Sequence, residues 1–354
     1  MPSWIAGPTR IEAAGNPPKT SSEYAGWVST GPGEVSGWRV GGPAEPPALA
    51  ATAGTGWVAL TGADLAQARA AGAFALALHE VAERPVPRAG AVEVTVPPYR
   101  GKRFVLFLSW LVVERLAAAG ADVGWCLTPR QGPDSIHALL AGQGWRLVRE
   151  RLRTGRGGPT VRLRGQPPAR VPQPIPESFT TALGHHPEVP LLADYGVFSP
   201  HRVDAGTGLL LAVALAQPPV PRVADIGVGY GPLATGLLLN RVAGSAVGTD
   251  VDSVALWLAG QNARANRISL DLALTGDPTT VEETGLTVCN LPTHLAAAES
   301  AGLLAGLVAR ARPGRVLVVV HASLAERYAR HLLPAGPVHR HPGARHVVLA
   351  VGPR

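Results

Sequence analysis

The stretch VADIGVGYGPLATG, residues 223–236, limits the possible folds of this chain more than any other. Apolar residues lead to Asp225. Glycines follow at every second position, 227, 229 and 231, and Pro232 opens a helical pattern. A strand that ends on an acid, a glycine turn and a helix form the ligand-binding corner of an open parallel α/β sheet. Glycine lets the turn tighten and lets backbone amides approach a ligand closely. The free N–H groups at the helix start suit an anion. A dinucleotide fingerprint would place its third glycine at 232, where this chain has proline.

Alternation of strand and helix patterns continues on both sides. After the corner come a strand at 245–250, a helix at 253–266 and strands at 269–276 and 286–290. A helix at 295–311, a strand at 315–320, a helix at 324–333 and a strand at 345–352 complete one doubly wound domain. The first half reads as a strand from Trp57, a helix over 63–82, a strand at 92–96 and a helix over 104–120. A strand at 122–127, a helix at 133–144 and a strand from Trp145 follow. No glycine-rich corner punctuates that half. The fold class is therefore α/β, two tandem Rossmann-like domains with doubly wound sheets, of which the N-terminal one lacks the binding chemistry. The expected boundaries are an irregular Gly/Pro-rich segment over 1–55 with at most a short strand or two, and a first domain over 56–165. A Pro-rich linker over 166–190 and a second domain over 191–354 follow.

Charge adds a hint about partners. All but two of the 32 basic residues are arginine, and the formal net charge is +7. Eight arginines stand between 146 and 170 against one acid, Glu150. They form either a solvated edge or a strip that follows a phosphate backbone. The two cysteines, Cys126 and Cys289, have no metal or disulfide spacing and read as buried thiols. No metal site is expected. The longest apolar run, 104–113, stops at Glu114-Arg115, too short to span a bilayer, and no signal pattern opens the chain. These features lead to the expectation of a cytoplasmic protein with no membrane partner.

The Asp-x-Gly-x-Gly-x-Gly spacing resembles the first motif of class I S-adenosylmethionine (SAM) methyltransferases. In that family the loop cradles the methionine end and the ribose. SAM is thus the expected cofactor, with Asp225, Gly227, Gly229 and Gly231 as its cradle. Asp250, at the tip of the next strand, is placed to accept from both ribose hydroxyls. Asp252 is the alternative. Asp277, after the third strand, is either an acceptor for the adenine amine or ordinary turn chemistry. The fourth strand ends in TVCNLPTHL, residues 287–295. This resembles the Asn-Pro-Pro-aromatic tetrapeptide of amino-methylating enzymes. There the Asn oxygen and the next carbonyl accept from the target amine and aim its lone pair at the methyl group. The resemblance makes Asn290, Leu291 and Pro292 catalytic. Thr293 stands where an aromatic would stack on a flipped base, and His294 follows it. Trp257 and Tyr328 are other aromatic candidates for that role.

Three segments narrow the resemblance to the bacterial ribosomal-RNA guanine-N2 methyltransferases of the RsmC type. GVFSPHRVDAGTGLLL (196–211) resembles that family's lead-in, VADIGVGYGPLA its SAM loop, and CNLPTH its Asn-Pro-Pro-Phe-His. The resemblance implies a catalytic second domain acting on the N2 amine of a guanine, with ribosomal RNA or a ribosomal subunit as partner. It also implies that Phe198, Asp204 and Thr207 close over cofactor and base, with Thr293 and His294 on the substrate side. The first domain becomes a degenerate methyltransferase-like copy that helps to hold RNA. Two other readings stay open: a methyltransferase of the same fold acting on a small molecule or a protein amide, and a non-catalytic SAM- or RNA-binding module.

Overall fold

One strand order occurs twice. The computed structural model describes residues 35–41, 55–70, 73–153, 159–292, 295–311 and 314–352. The first half contains β1 (Gly37–Val40), β2 (Thr55–Ala59), α1 (Gly62–Ala70), β3 (Phe74–Ala77), α2 (Leu78–Glu83) and β4 (Ala89–Thr95). It continues with α3 (Lys102–Leu111), β5 (Ala117–Leu127), α4 (Pro133–Gly142), β6 (Arg146–Arg153) and β7 (Pro159–Gln166). A hairpin, β8 (Ser178–Leu183) and β9 (His186–Leu192), follows. The second half runs α5 (Ala205–Leu215), β10 (Val220–Ile226), α6 (Pro232–Leu239), β11 (Ala243–Asp250), α7 (Ser253–Ala265), β12 (Leu270–Leu274) and β13 (Leu286–Asn290). It ends with α8 (Ala297–Arg310), β14 (Arg315–His321), α9 (Ala325–Leu332), β15 (His339–Pro342) and β16 (His346–Val351). The sheets are ordered β3-β2-β1-β4-β5-β7-β6 and β12-β11-β10-β13-β14-β16-β15. In each, five strands are parallel, the next, β7 or β16, runs antiparallel to them, and the edge strand, β6 or β15, pairs antiparallel with that one.

The central strands of the second sheet are covered on both faces, so β13 and β14 read as continuous apolar runs rather than alternating ones. Two helix starts fix the chain around them. Asp204 caps α5 by accepting from the Thr207 N–H at 3.0 Å. Gly231 caps α6 in a left-handed conformation, with Pro232 at the first helical position, where its missing N–H costs nothing.

Backbone equivalence between the copies shows what the first has lost. The Gly41 N–H meets the Val58 carbonyl as the Gly227 N–H meets that of Thr249. The Val96 N–H meets the Cys126 carbonyl as the Leu291 N–H meets that of Val319. On this register Arg39 stands where the second copy has Asp225, Ala59 where it has Asp250, and Thr95 where it has Asn290.

The halves are joined by buried contacts. Phe107 of α3 stacks on Tyr195 with centroids 4.8 Å apart and packs on Trp257 of α7 at 4.7 Å. The Arg100 guanidinium, almost fully buried, pairs with the Asp252 carboxylate and donates to the Tyr195 carbonyl at 2.7 Å. Ser253 Oγ lies 2.9 Å from both the backbone N–H and Nδ1 of His79.

Several local expectations are corrected. The helix expected over 63–82 is helix, strand and helix, because AFALAL satisfies both periods and β3 pairs with β2. Residues 117–120 belong to β5 rather than to the preceding helix. β1 is one of the short strands allowed within 1–55, but it is central to its sheet. The second part of the Pro-rich linker is the β8–β9 hairpin. Cys289 is buried as expected, but Cys126 is only half-buried and donates to Glu93 at 2.8 Å.

Candidate active site

The glycine corner is built as its spacing demands. Gly227, Gly229 and Gly231 have φ of 77°, 57° and 88°, values that a side chain strains to adopt. The N–H groups of Gly227 and Val228 both reach the Thr249 carbonyl at 2.8 Å, which folds the loop over the end of β11. Asp225 is buried beneath it and accepts from the Ala234 N–H at 3.0 Å. Burial pushes its carboxyl up to about 7. Asp250, at the tip of β11, accepts from the Gly229 N–H at 2.9 Å and the Asp252 N–H at 2.9 Å. Burial pushes it up to about 6. Asp252, its rival in the sequence, is engaged by Arg100 and caps α7. Of the two acids, Asp250 is the one that lines the cavity described below.

Asn290 ends β13, one strand over from β10. Its Nδ2 donates to Asp204 Oδ2 at 2.8 Å and to Thr207 Oγ1 at 3.0 Å. Both amide hydrogens are thereby committed, which sets the orientation of the amide. Among the described residues no donor takes its Oδ1. Asp204 and Thr207 thus hold the amide from behind, a different role from the closure expected of them.

These groups open onto one cavity of about 840 Å³ at the carboxyl ends of the second sheet. Phe198, Asp204, Thr207, Asp225, Gly227, Gly229, Asp250, Asn290, Leu291 and Pro292 all line it, as the sequence led one to expect. Phe198, 71% exposed, forms its rim. Other candidates from the sequence lie outside its wall. Gly231 lies outside the wall, packed toward Ala259, and serves as the helix cap. Asp277 is exposed, absent from the wall, and caps its own turn by accepting from the Thr279 N–H at 2.9 Å. Trp257 is buried at the junction of the halves and Tyr328 in the core under α9, so neither reaches the cavity. Thr293 and His294 lie outside the described residues.

Other wall residues escaped the sequence reading. Thr61 and Ala63 come from the first half. His321 and His346 face each other across β14 and β16, with ring centroids 5.7 Å apart, beside Asn290. Their only signal in the sequence was polarity at the end of one apolar strand and the start of another.

The arginine strip carries less free charge than its sequence suggests. Arg149 pairs with Asp134, Arg162 with Glu93 at 2.6 Å and Arg164 with Asp122 at 2.5 Å. Among the described residues no cluster of histidines, cysteines and acids is arranged to hold a metal ion. No helix among them is long and apolar enough to cross a membrane.

Comparison with known proteins fits this geometry. Residues 188–328 match the family model described as Methyltransferase small domain. A curated relative, the ribosomal protein L11 methyltransferase of Syntrophotalea carbinolica, is 38% identical over 110 residues. That match spans 31% of this chain and 35% of the relative, so the chain spans about a third of that protein's length. Among solved structures, the Thermus thermophilus 16S rRNA N2 G1207 methyltransferase (RsmC), in complex with AdoMet and guanosine, matches with a TM-score of 0.69 at 20% identity. The match covers 90% of this chain and 88% of that one, a likeness of fold. The fold is therefore that of two tandem class I methyltransferase-like domains, and its second half matches the methyltransferase small domain family.

Proposed function

We propose that the chain is a SAM-dependent N-methyltransferase acting on the exocyclic N2 amine of a guanine in ribosomal RNA. One observation carries this reading: Asn290, its side-chain Nδ2 held by Asp204 and Thr207, lines the same cavity as Asp250. In this reading residues 191–354 are the catalytic domain, and the first domain helps to hold RNA.

The residues fit the cofactor. A desolvated acid at the second strand tip suits a ribose diol. The positive-φ glycines bring backbone close to the methionine end, and about 840 Å³ has room for the nucleoside and a substrate ring together. When bound, SAM supplies an electrophilic methyl group on sulfur. The chain contributes orientation. Asn290 Oδ1 and the Leu291 carbonyl accept the two amine hydrogens, localise the lone pair and hold it in line, which needs no strong base. Phe198 offers an aromatic face at the rim for a flipped base, a task the chain does not give to residue 293.

The test is transfer of label from methyl-labelled SAM, with wild type and Asn290→Ala incubated with ribosomal RNA, ribosomal subunits and an RNA-free extract. Label in RNA that the mutant loses supports the reading, and digestion then identifies the base. The identity to an L11 methyltransferase favours a second reading, a protein amine as substrate. Label confined to the RNA-free fraction would select it. SAM binding with no label anywhere would mean a non-catalytic module.

A further inference from the structure

The cavity crosses the boundary between the two halves, and the crossing is built from backbone. Thr61 of the first half forms an antiparallel bridge with Asp252 of the second. The Gly62 N–H donates to the Val251 carbonyl at 3.0 Å, and the Ser253 N–H donates to the Leu60 carbonyl at 2.9 Å. The first half thereby lays a short extra edge along the turn that follows Asp250. The approach is close: a Cβ on Gly62 would lie 3.4 Å from the Leu274 carbonyl oxygen, at the end of β12. The loop also holds its own shape. The Asp64 N–H donates to Thr61 Oγ1 and the Thr61 N–H to Asp64 Oδ2, both at 3.1 Å.

We propose that Thr61 and Ala63 wall the nucleobase end of the cofactor site, so that the first domain is part of the cofactor pocket. This rests on the reading of the cavity as a SAM site. Asp250 fixes where the ribose lies. From β10 across β11 the nucleoside continues toward β12, where Thr275 and Gly276 line the cavity. Val251, 54% exposed, offers an apolar face there, and Thr61 and Ala63 come to the same place from the other domain. A flat ring entering this slot meets residues of both halves. The copy that lost its own acid and Asn now shapes the pocket of the other.

The test uses the full chain and S-adenosylhomocysteine, with binding followed by calorimetry. Ala63→Trp, which fills the slot, is expected to weaken binding tenfold or more. Ala70→Trp, exposed on the same helix about 10 Å further along it, is expected to stay within about twofold of wild type. Equal melting temperatures of the unliganded proteins establish that the variants fold. Hydrogen exchange on the wild type supplies a readout free of mutation: the amides of residues 60–64 are expected to gain protection when S-adenosylhomocysteine binds. A folded Ala63→Trp of unchanged affinity, or no added protection at residues 60–64, overturns the proposal and leaves the cofactor reading standing. A wild type that does not bind S-adenosylhomocysteine overturns both.

Discussion

Asp204 Oδ2 accepts from the Thr207 N–H at 3.0 Å and from the Asn290 side chain at 2.8 Å, with the Thr207 hydroxyl at 3.4 Å as a third, longer donor. One carboxylate therefore starts α5 and orients the amide at the end of β13. Asp204→Ser keeps a capping oxygen but cannot span to Asn290 with a charge-assisted bond. It is expected to cost about 1 kcal/mol or less in stability while lowering kcat about 10- to 100-fold by misorienting the amide. Single-turnover methyl transfer beside thermal melting separates the two effects. A variant with full kcat would show that the amide needs no carboxylate behind it.

Asp250 links cofactor affinity to pH. Its carboxyl, pushed up to about 6 by burial, is charged at neutral pH and protonated below that value. The charged form is the better acceptor for a ribose diol. S-adenosylhomocysteine affinity is thus expected to fall as pH drops from 7 to 5, and Asp250→Asn to bind weakly with that slope flattened. Calorimetry at pH 5, 6, 7 and 8 reads both.

Asp225 links stability, rather than affinity, to pH. Burial raises its carboxyl from 3.8 to about 7, so between these values the folded state binds the extra proton. Stability falls as pH rises through that window. Asp225→Asn keeps an oxygen for the Ala234 N–H and removes the buried charge. The unliganded variant is expected to melt at or above the wild-type temperature at pH 8, by the equivalent of up to a few kcal/mol, and at about the same temperature at pH 5. A lower melting temperature at pH 8 would show that the charge is compensated in the folded state.

The Arg100–Asp252 pair is costly to break from one side. Arg100→Ala leaves the Asp252 carboxylate without its partner at the domain boundary and is expected to destabilise the chain by about 3 kcal/mol or more. Adding Asp252→Asn is expected to recover part of that loss. Denaturant unfolding of the single and double variants measures the coupling, and strictly additive effects would argue against an ion pair.

Phe198 separates the two substrate readings. Stacking of a base on an exposed aromatic contributes about 1–3 kcal/mol. With an RNA substrate Phe198→Ala is expected to raise KM about tenfold or more and to leave S-adenosylhomocysteine affinity unchanged. Steady-state kinetics with RNA, beside the binding titration, shows whether the rim ring serves the substrate.

The parts of the site carried by a single local pattern were legible in the sequence. Asp225, Gly227 and Gly229 lie on one strand and its turn, Asp250 on the next strand tip, and Asn290 on the strand that flanks β10 on its other side. What the sequence could not disclose depends on elements far apart in the chain. Thr61 and Ala63 reach the cavity because Gly62 bonds to Val251, nearly 200 residues away. His346 faces His321 because β16 folds back antiparallel on β14. Asp277 misled for the opposite reason, since an acid before proline caps its own turn whether or not a ligand is near. In the fold, β1 was hidden by its four-residue length among glycines and prolines, and β3 by an Ala/Leu run that both periods accept.

The backbone edge from Leu60 to Gly62, with Arg100 beside it, also bears on how molecules reach the site. A cleft between two domains commonly opens by a hinge. Here, parting the halves would strip two backbone hydrogen bonds and unpair a buried guanidinium at the domain boundary. The expected way in and out is therefore past the exposed Phe198, on the carboxyl side of the second sheet. Ligand exchange past that ring, without separation of the halves, is the expected route.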